Sequence, residues 1–193
     1  PSIYPSKDDK LLAIFNDNSN ELYIKKPGED TVKVPLAIST HKALRTENGG
    51  LCYESADKVK TIYAATSDGK TYSLYAITLD GERERILTSV SNYIINNGRI
   101  FYITDDNVLK TGKISGSKLT DESKIASSAN SMIVSDDGNY VCYARSGEST
   151  GTYYCFKIGD KEPKKIAADI NSICGFSTDG SEVYYLKDCL SIN

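Results

Sequence analysis

Short apolar runs alternate with polar turns along the whole chain. Leu11-Leu12-Ala13-Ile14-Phe15, Arg99-Ile100-Phe101-Tyr102-Ile103, Tyr140-Val141-Cys142-Tyr143-Ala144 and Glu182-Val183-Tyr184-Tyr185-Leu186 are such runs, with Leu51-Cys52-Tyr53 as a shorter equivalent. Runs of this length, rich in β-branched and aromatic residues and bounded by turn formers, predict strands. Their near-continuous apolar character predicts burial on both faces, since a half-exposed strand alternates more cleanly. No helical period competes. The stretch from Asp121 to Ser131 comes nearest and is too rich in Ser for a helix.

Each run follows a tight-turn signal. Asn48-Gly49-Gly50, Asn97-Gly98, Asp137-Gly138 and Asp179-Gly180 are Asx-Gly steps, which favour positive φ and hairpins. They recur 49, 40 and 42 residues apart, and Asp9-Lys10 fills the same slot upstream. A fixed period in this range marks a repeat architecture. Each unit predicts four strands. A short strand precedes the step, such as Ser2-Ile3-Tyr4, Lys42-Ala43-Leu44 or Ser131-Met132-Ile133-Val134. The apolar run follows, then a third strand such as Glu21-Leu22-Tyr23-Ile24, Tyr72 to Ile77 or Thr152 to Ile158. The fourth strand is charged, as in Arg83-Glu84-Arg85-Ile86-Leu87 or Pro163-Lys164-Lys165-Ile166. A charged outer strand is one way a sheet edge avoids pairing with other chains.

The predicted fold is all-β: a β-propeller-type array of four-stranded antiparallel blades, with about four complete units and a partial fifth. A single repeat domain over 1–193 divides into approximate blades 1–38, 39–90, 91–130, 131–170 and a partial 171–193. The second unit is the longest. Its extra stretch, Lys60-Thr61-Ile62-Tyr63-Ala64-Ala65, reads as a lengthened hairpin projecting from one face.

The runs Ser135-Asp136-Asp137-Gly138-Asn139-Tyr140-Val141-Cys142-Tyr143 and Ser177-Thr178-Asp179-Gly180-Ser181-Glu182-Val183-Tyr184-Tyr185 follow an S-x-D-G-x-x-apolar-x-Y pattern, and Leu74-Tyr75-Ala76-Ile77 matches a third strand. In these elements the chain resembles the TolB/tricorn-type propeller repeats, and among them the Lys- and Tyr-rich versions on bacterial surface proteins. It is not the WD40 pattern, since there is no Trp and no Gly-His step. The resemblance implies protein or ligand binding more often than catalysis. It transfers no site residue.

Composition narrows the function classes. The net charge is −3 with the signs interspersed, so no basic stripe for nucleic acid exists. Lys161, Lys164 and Lys165, like Lys25 and Lys26, are diluted by acidic neighbours and read as solvated edge strands. No apolar run approaches the ~18–20 residues of a membrane-spanning helix. The chain opens on Pro1 rather than Met, so the lack of a leader segment says little about targeting. The five Cys form no C-x-x-C motif and no disulfide framework, and four or five of them read as free thiols in strands. Cys142 and Cys155, on adjacent strands of one hairpin, are the one pair worth testing for a bridge.

His41 is the only His, and it sits at a strand start with no nucleophile motif around it, which predicts a structural or surface role. Asn16-Asp17-Asn18-Ser19-Asn20-Glu21 places oxygen side chains at alternating positions, but lacks the Gly and distant Glu of an EF-hand loop. It reads as a hairpin loop. No cofactor, metal or catalytic residue is predicted. The candidate binding residues are Tyr63, Tyr72 and Tyr75 in the longest unit, since Tyr is enriched at recognition surfaces. The expected function is non-catalytic binding of a protein or glycan, outside the cytoplasm or at the surface of a bacterium. The rival is an accessory propeller that gates substrate for a larger enzyme such as a peptidase.

Overall fold

The computed structural model describes residues 1–37, 44–145, 151–168, 170–178 and 180–187. Antiparallel strands dominate, in sheets of four, eight, four and two. The first sheet comprises β1 (Ser2–Pro5), β2 (Leu12–Asn16), β3 (Glu21–Lys25) and β4 (Val32–Ala37) in sequence order. The eight-stranded sheet comprises β5 (Arg45–Thr46), β6 (Gly49–Gly50), β7 (Thr61–Ser67), β8 (Tyr72–Thr78), β9 (Arg83–Asn96), β10 (Arg99–Thr104), β11 (Leu109–Ser115) and β12 (Lys118–Ala126). Its order is β12-β11-β10-β9-β8-β7-β5-β6. The next sheet is β13 (Ser131–Val134), β14 (Tyr140–Ala144), β15 (Tyr153–Lys157) and β16 (Lys164–Ala167), and the last is β17 (Ile170–Phe176) with β18 (Val183–Lys187).

The chain forms two compact units, Pro1–Ser91 with Lys113–Thr120, and Asn92–Gly112 with Asp121–Asn193. The first packs Leu11, Ala13, Phe15, Leu22, Ile24 and Val34 of the first sheet against Leu44, Leu51, Val59, Ile62, Ala64 and Ile77. The second is built on Phe101, Ile103, Leu109, Ile125, Met132, Val141 and Tyr143.

Three expectations need correction. The four-stranded units predicted over 39–90 and 91–130 are not separate sheets. Strand β9 runs unbroken for 14 residues where two strands were expected. Its register on β8 shifts between Tyr72 and Leu74, and Ser89 takes φ 55 there, a bulge that lets one strand continue instead of ending. Leu51–Tyr53 is a 3-10 turn, not a strand, because Gly49-Gly50 already closes a two-residue ladder with Arg45-Thr46. Burial on both faces holds for Ile100 to Ile103 of β10 but not for β2, which alternates. The face carrying Ala13 and Phe15 meets the first unit's core, while Ile3, opposite Ile14, is exposed.

The repeated turn has a shared internal structure. The Ser6, Ser135 and Ser177 N–H groups donate to the carbonyls of Leu11, Tyr140 and Glu182 at 2.8–3.0 Å. In return the three hydroxyl oxygens accept from the N–H groups of the same residues at 2.9–3.0 Å. Ser6 and Ser135 also donate to Asp8 and Asp137, two residues on. Asp9 has φ 57, close to the 69 of Gly138 and 70 of Gly180, so Asp8-Asp9 fills the slot of the Asx-Gly step, one residue earlier than the Asp9-Lys10 expected from spacing. Asp179 lies outside the described residues, as do His41, Lys42, Ala43 and Cys189.

These turns also dock. Lys7 N–H donates to the Glu54 carbonyl at 2.8 Å, and Ala56 N–H donates to Asp8 Oδ1 at 3.0 Å. In the second unit Asn96 Nδ2 donates to the carbonyls of Ser135 and Asp136, and Asn97 Nδ2 to that of Asp137.

Candidate functional site

The stretch from Leu44 to Thr61 is the least repeat-like part of the chain, and it builds a polar cleft. Strand β5 ends at Thr46, Glu47-Asn48 turns the chain, and the 3-10 turn delivers Glu54 back beside Thr46. The docked β1–β2 turn then pins Glu54 to Ala56 from outside. Thr46, Glu47, Asn48, Glu54, Lys58, Val59, Lys60, Thr61 and Ser115 line a cleft of about 250 Å³.

Two carboxylates define it. Glu54 is only 8% exposed, and Thr46 Oγ1 donates to its Oε1. Glu47 Oε1 accepts from the Gly116 N–H at 2.8 Å and from the Tyr63 hydroxyl at 3.4 Å. That hydroxyl lies 3.0 Å from the Gly116 carbonyl. Burial, followed by the charge of Glu47, pushes the Tyr63 phenol far above its ordinary value, so it stays a neutral donor. Lys58 and Lys60 are exposed at the rim. The lining thus offers carboxylates, an amide and hydroxyls beside two ammonium groups. It can meet a polar ligand at several points.

The three tyrosines named from sequence are not gathered on one surface. The stretch read as a projecting hairpin is β7, paired with β8 along its full length and with Arg45 of β5, because its Ile62, Ala64 and partner Ile77 belong to the core. Tyr63 is therefore fully buried and stands behind Glu47 rather than meeting solvent. Tyr72 is opposite Ser67 and shares Tyr63's face, whereas Tyr75 is opposite Ala64 and packs on the core from the other face.

The carboxylate-rich loop after β2 holds no convergent set either. Asn16 Oδ1 accepts from Asn18 N–H, Asp17 lies 3.7 Å from the N-terminal nitrogen, and Glu21 is taken up by Lys33, Ser19 and Tyr23. The Lys33 hydrogen bond, helped by Ser19 and Tyr23, holds the Glu21 carboxyl down at about 2. Among the described residues there is no group of three or more His, Cys, Asp or Glu placed to hold a metal ion. Nor is any described helix long and apolar enough to cross a membrane.

No family model matches the sequence, and no curated protein matches it. Solved structures do share its fold. The tricorn protease resembles it with a TM-score of 0.61 at 16% identity, over 96% of this chain and 18% of that one. TolB from Acinetobacter baumannii gives 0.54 at 14% identity, over 97% of this chain and 50% of that one. An oligogalacturonate lyase in complex with manganese gives 0.59 at 13% identity, over 93% and 56%. The chain spans less than a fifth of the first and half of the second. At these identities the likeness is one of fold: an all-β architecture of the TolB/tricorn propeller type.

Proposed function

We propose that the chain is a set of propeller blades serving as a recognition module without chemistry of its own, and that it holds a protein or glycan ligand in the Glu47–Glu54 cleft. The observation that carries this reading is the cleft itself. A buried carboxylate is costly unless compensated, and here Glu54 is brought inside, bonded by Thr46, and opened toward a cleft rimmed by Lys58 and Lys60. Such a lining suits sugar hydroxyls or a peptide loop, both of which bring donors and acceptors together. A site of action at the cell surface or beyond the cytoplasm is part of the same proposal. The test is a screen on glycan and peptide arrays, followed by calorimetry of each hit with wild type, Glu54→Gln and Lys58→Ala. A Kd weakened at least about tenfold by either variant is expected. Hits indifferent to both variants, or turnover of a substrate by the purified chain, would overturn the reading.

A second reading has its own observation. The tricorn protease contains this fold as a small part of its length, which favours a propeller that gates substrate for an attached catalytic domain. Reading the gene outward from residues 1 and 193 decides it: a hydrolase domain in the same product supports gating, and its absence removes it.

A further inference from the structure

Cys142 on β14 and Cys155 on β15 are direct cross-strand partners. Ile158 N–H donates to the Asn139 carbonyl at 2.8 Å in the same ladder, which makes Asn139 and Ile158 a hydrogen-bonded pair. Such pairs alternate with non-hydrogen-bonded ones, so three steps along, Cys142 and Cys155 occupy a non-hydrogen-bonded site. There the Cα atoms approach to about 4.5 Å, within the span a disulfide bridges. No disulfide joins them in this structure, and their sulfur atoms are in direct contact. Cys52 and Cys174 are exposed, and neither has a cysteine opposite it among the described residues.

The two members differ. Cys142 is 1% exposed. Cys155 is half-buried and lines a cleft of about 300 Å³ with Tyr140, Lys157, Asp160, Lys164, Ser181 and Val183. Lys164 is its cross-strand partner on β16, and Lys157 lies two residues along the same face of β15. Asp160 sits 3.7 Å from Lys164 and tempers that charge. The hydrogen bond between the sulfurs, with burial, pushes the Cys142 thiol well above its ordinary value, and the same bond holds Cys155 down. Accessibility and thiolate character therefore fall on the same cysteine.

We propose that Cys142 and Cys155 are a redox-active pair, with Cys155 the thiol that meets a hydroperoxide in the cleft and Cys142 the thiol that resolves it. Cys155 thiolate attacks the terminal peroxide oxygen. The O–O bond breaks, an alkoxide leaves and takes up a proton, and Cys155 becomes a sulfenic acid. The Cys142 sulfur then gives up its proton and attacks the Cys155 sulfur. The S–O bond breaks and water leaves. Two thiols are oxidised to one disulfide, and the hydroperoxide is reduced to an alcohol and water. A dithiol reductant reverses the change.

The fully reduced chain is exposed to a small excess of hydrogen peroxide, denatured, alkylated and weighed. Its five cysteines carry five adducts before treatment and three after, and the peptides holding Cys142 and Cys155 are found linked. Closing a loop between residues 13 apart raises Tm by about 5–10 °C, reversibly with dithiothreitol. In Cys142→Ser, Cys155 is trapped as a sulfenic acid by dimedone. Five adducts after peroxide, or a link through Cys52, Cys174 or Cys189 instead, would overturn the proposal. These wild-type measurements stand even if the variant fails to fold.

Discussion

Gly138 is where the repeat and its docking meet, and it allows the two to be measured apart. Its φ is +69, and a Cβ built on it falls 2.9 Å from the Asn96 carbonyl oxygen and 3.4 Å from Asn97 Cβ. Gly98 has φ +68 and nothing within 4 Å of such a Cβ. Both glycines lie in the second unit and differ in surroundings, not in backbone conformation. Left-handed backbone costs an L-residue about 1–2 kcal/mol, partly offset by about 0.4–1 kcal/mol from a less flexible unfolded chain. Gly98→Ala should therefore cost roughly 1 kcal/mol. Gly138→Ala carries the same terms and must also push back the backbone carbonyl of Asn96, beside Asn97. Their amides donate to three carbonyls of the Ser135–Asp137 turn at 2.9–3.1 Å. Overpacking of this kind adds about 1–3 kcal/mol, for a total of about 2–4 kcal/mol. Urea unfolding followed by far-ultraviolet circular dichroism measures both, and tyrosine emission serves as a second probe because the chain has no Trp. Equal losses at the two positions would refute the docking of the turn on Asn96 and Asn97.

Other positions give simpler outcomes. Asp9→Gly should stabilise the first unit by about 0.5–1 kcal/mol, since it relieves φ 57 at a slot that Gly fills in later repeats; urea midpoints check this. Tyr63→Phe should cost about 1–2 kcal/mol in the same measurement, because it strips the Gly116 carbonyl and Glu47 of a buried donor. Glu21 has a folded pKa of about 2 against an ordinary 4.5, so its contribution is complete above 4.5 and lost as pH falls toward 2. Glu21→Gln should flatten the stability profile across that window and leave its shape at neutral pH unchanged; an acid arm identical to wild type would count against the Lys33–Glu21 contact.

The strands were legible wherever local pattern and tertiary environment agree. Tyr140 to Ala144 and Arg99 to Ile103 read as strands and are strands, because β-branched and aromatic runs between tight turns have few other stable outcomes. Spacing placed the upstream slot at Asp9-Lys10, one residue late: the Ser6–Asp8 hydrogen bond and the positive φ of Asp9 put it at Asp8-Asp9. The merger of two predicted strands into β9 was not. It depends on Ser89 accepting a left-handed conformation, and Ser carries no signal for that. Burial on one face rather than two was equally invisible for β2. Leu12-Ala13-Ile14-Phe15 is apolar at every position, and only its packing partner decides which face is covered.

The cleft was hidden for a related reason. Leu51-Cys52-Tyr53 has the composition of a strand, yet Gly49-Gly50 closes the ladder one step earlier and the apolar run is spent on a 3-10 turn. A turn there reverses the chain and carries Glu54 inward to Thr46, where an extended strand would have carried it past. The Lys60–Ala65 stretch then takes over as the strand that pairs with β8, which buries Tyr63 and places its hydroxyl behind Glu47. Local propensity and final structure thus disagree over one continuous segment, and the same segment collects both carboxylates, both rim lysines and the buried phenol. The repeat is also broken at β9, but there no acidic side chain is brought inside; only this break buries one, Glu54, and burial of such a group is costly enough to need a compensating role of the kind the proposed ligand site would give it.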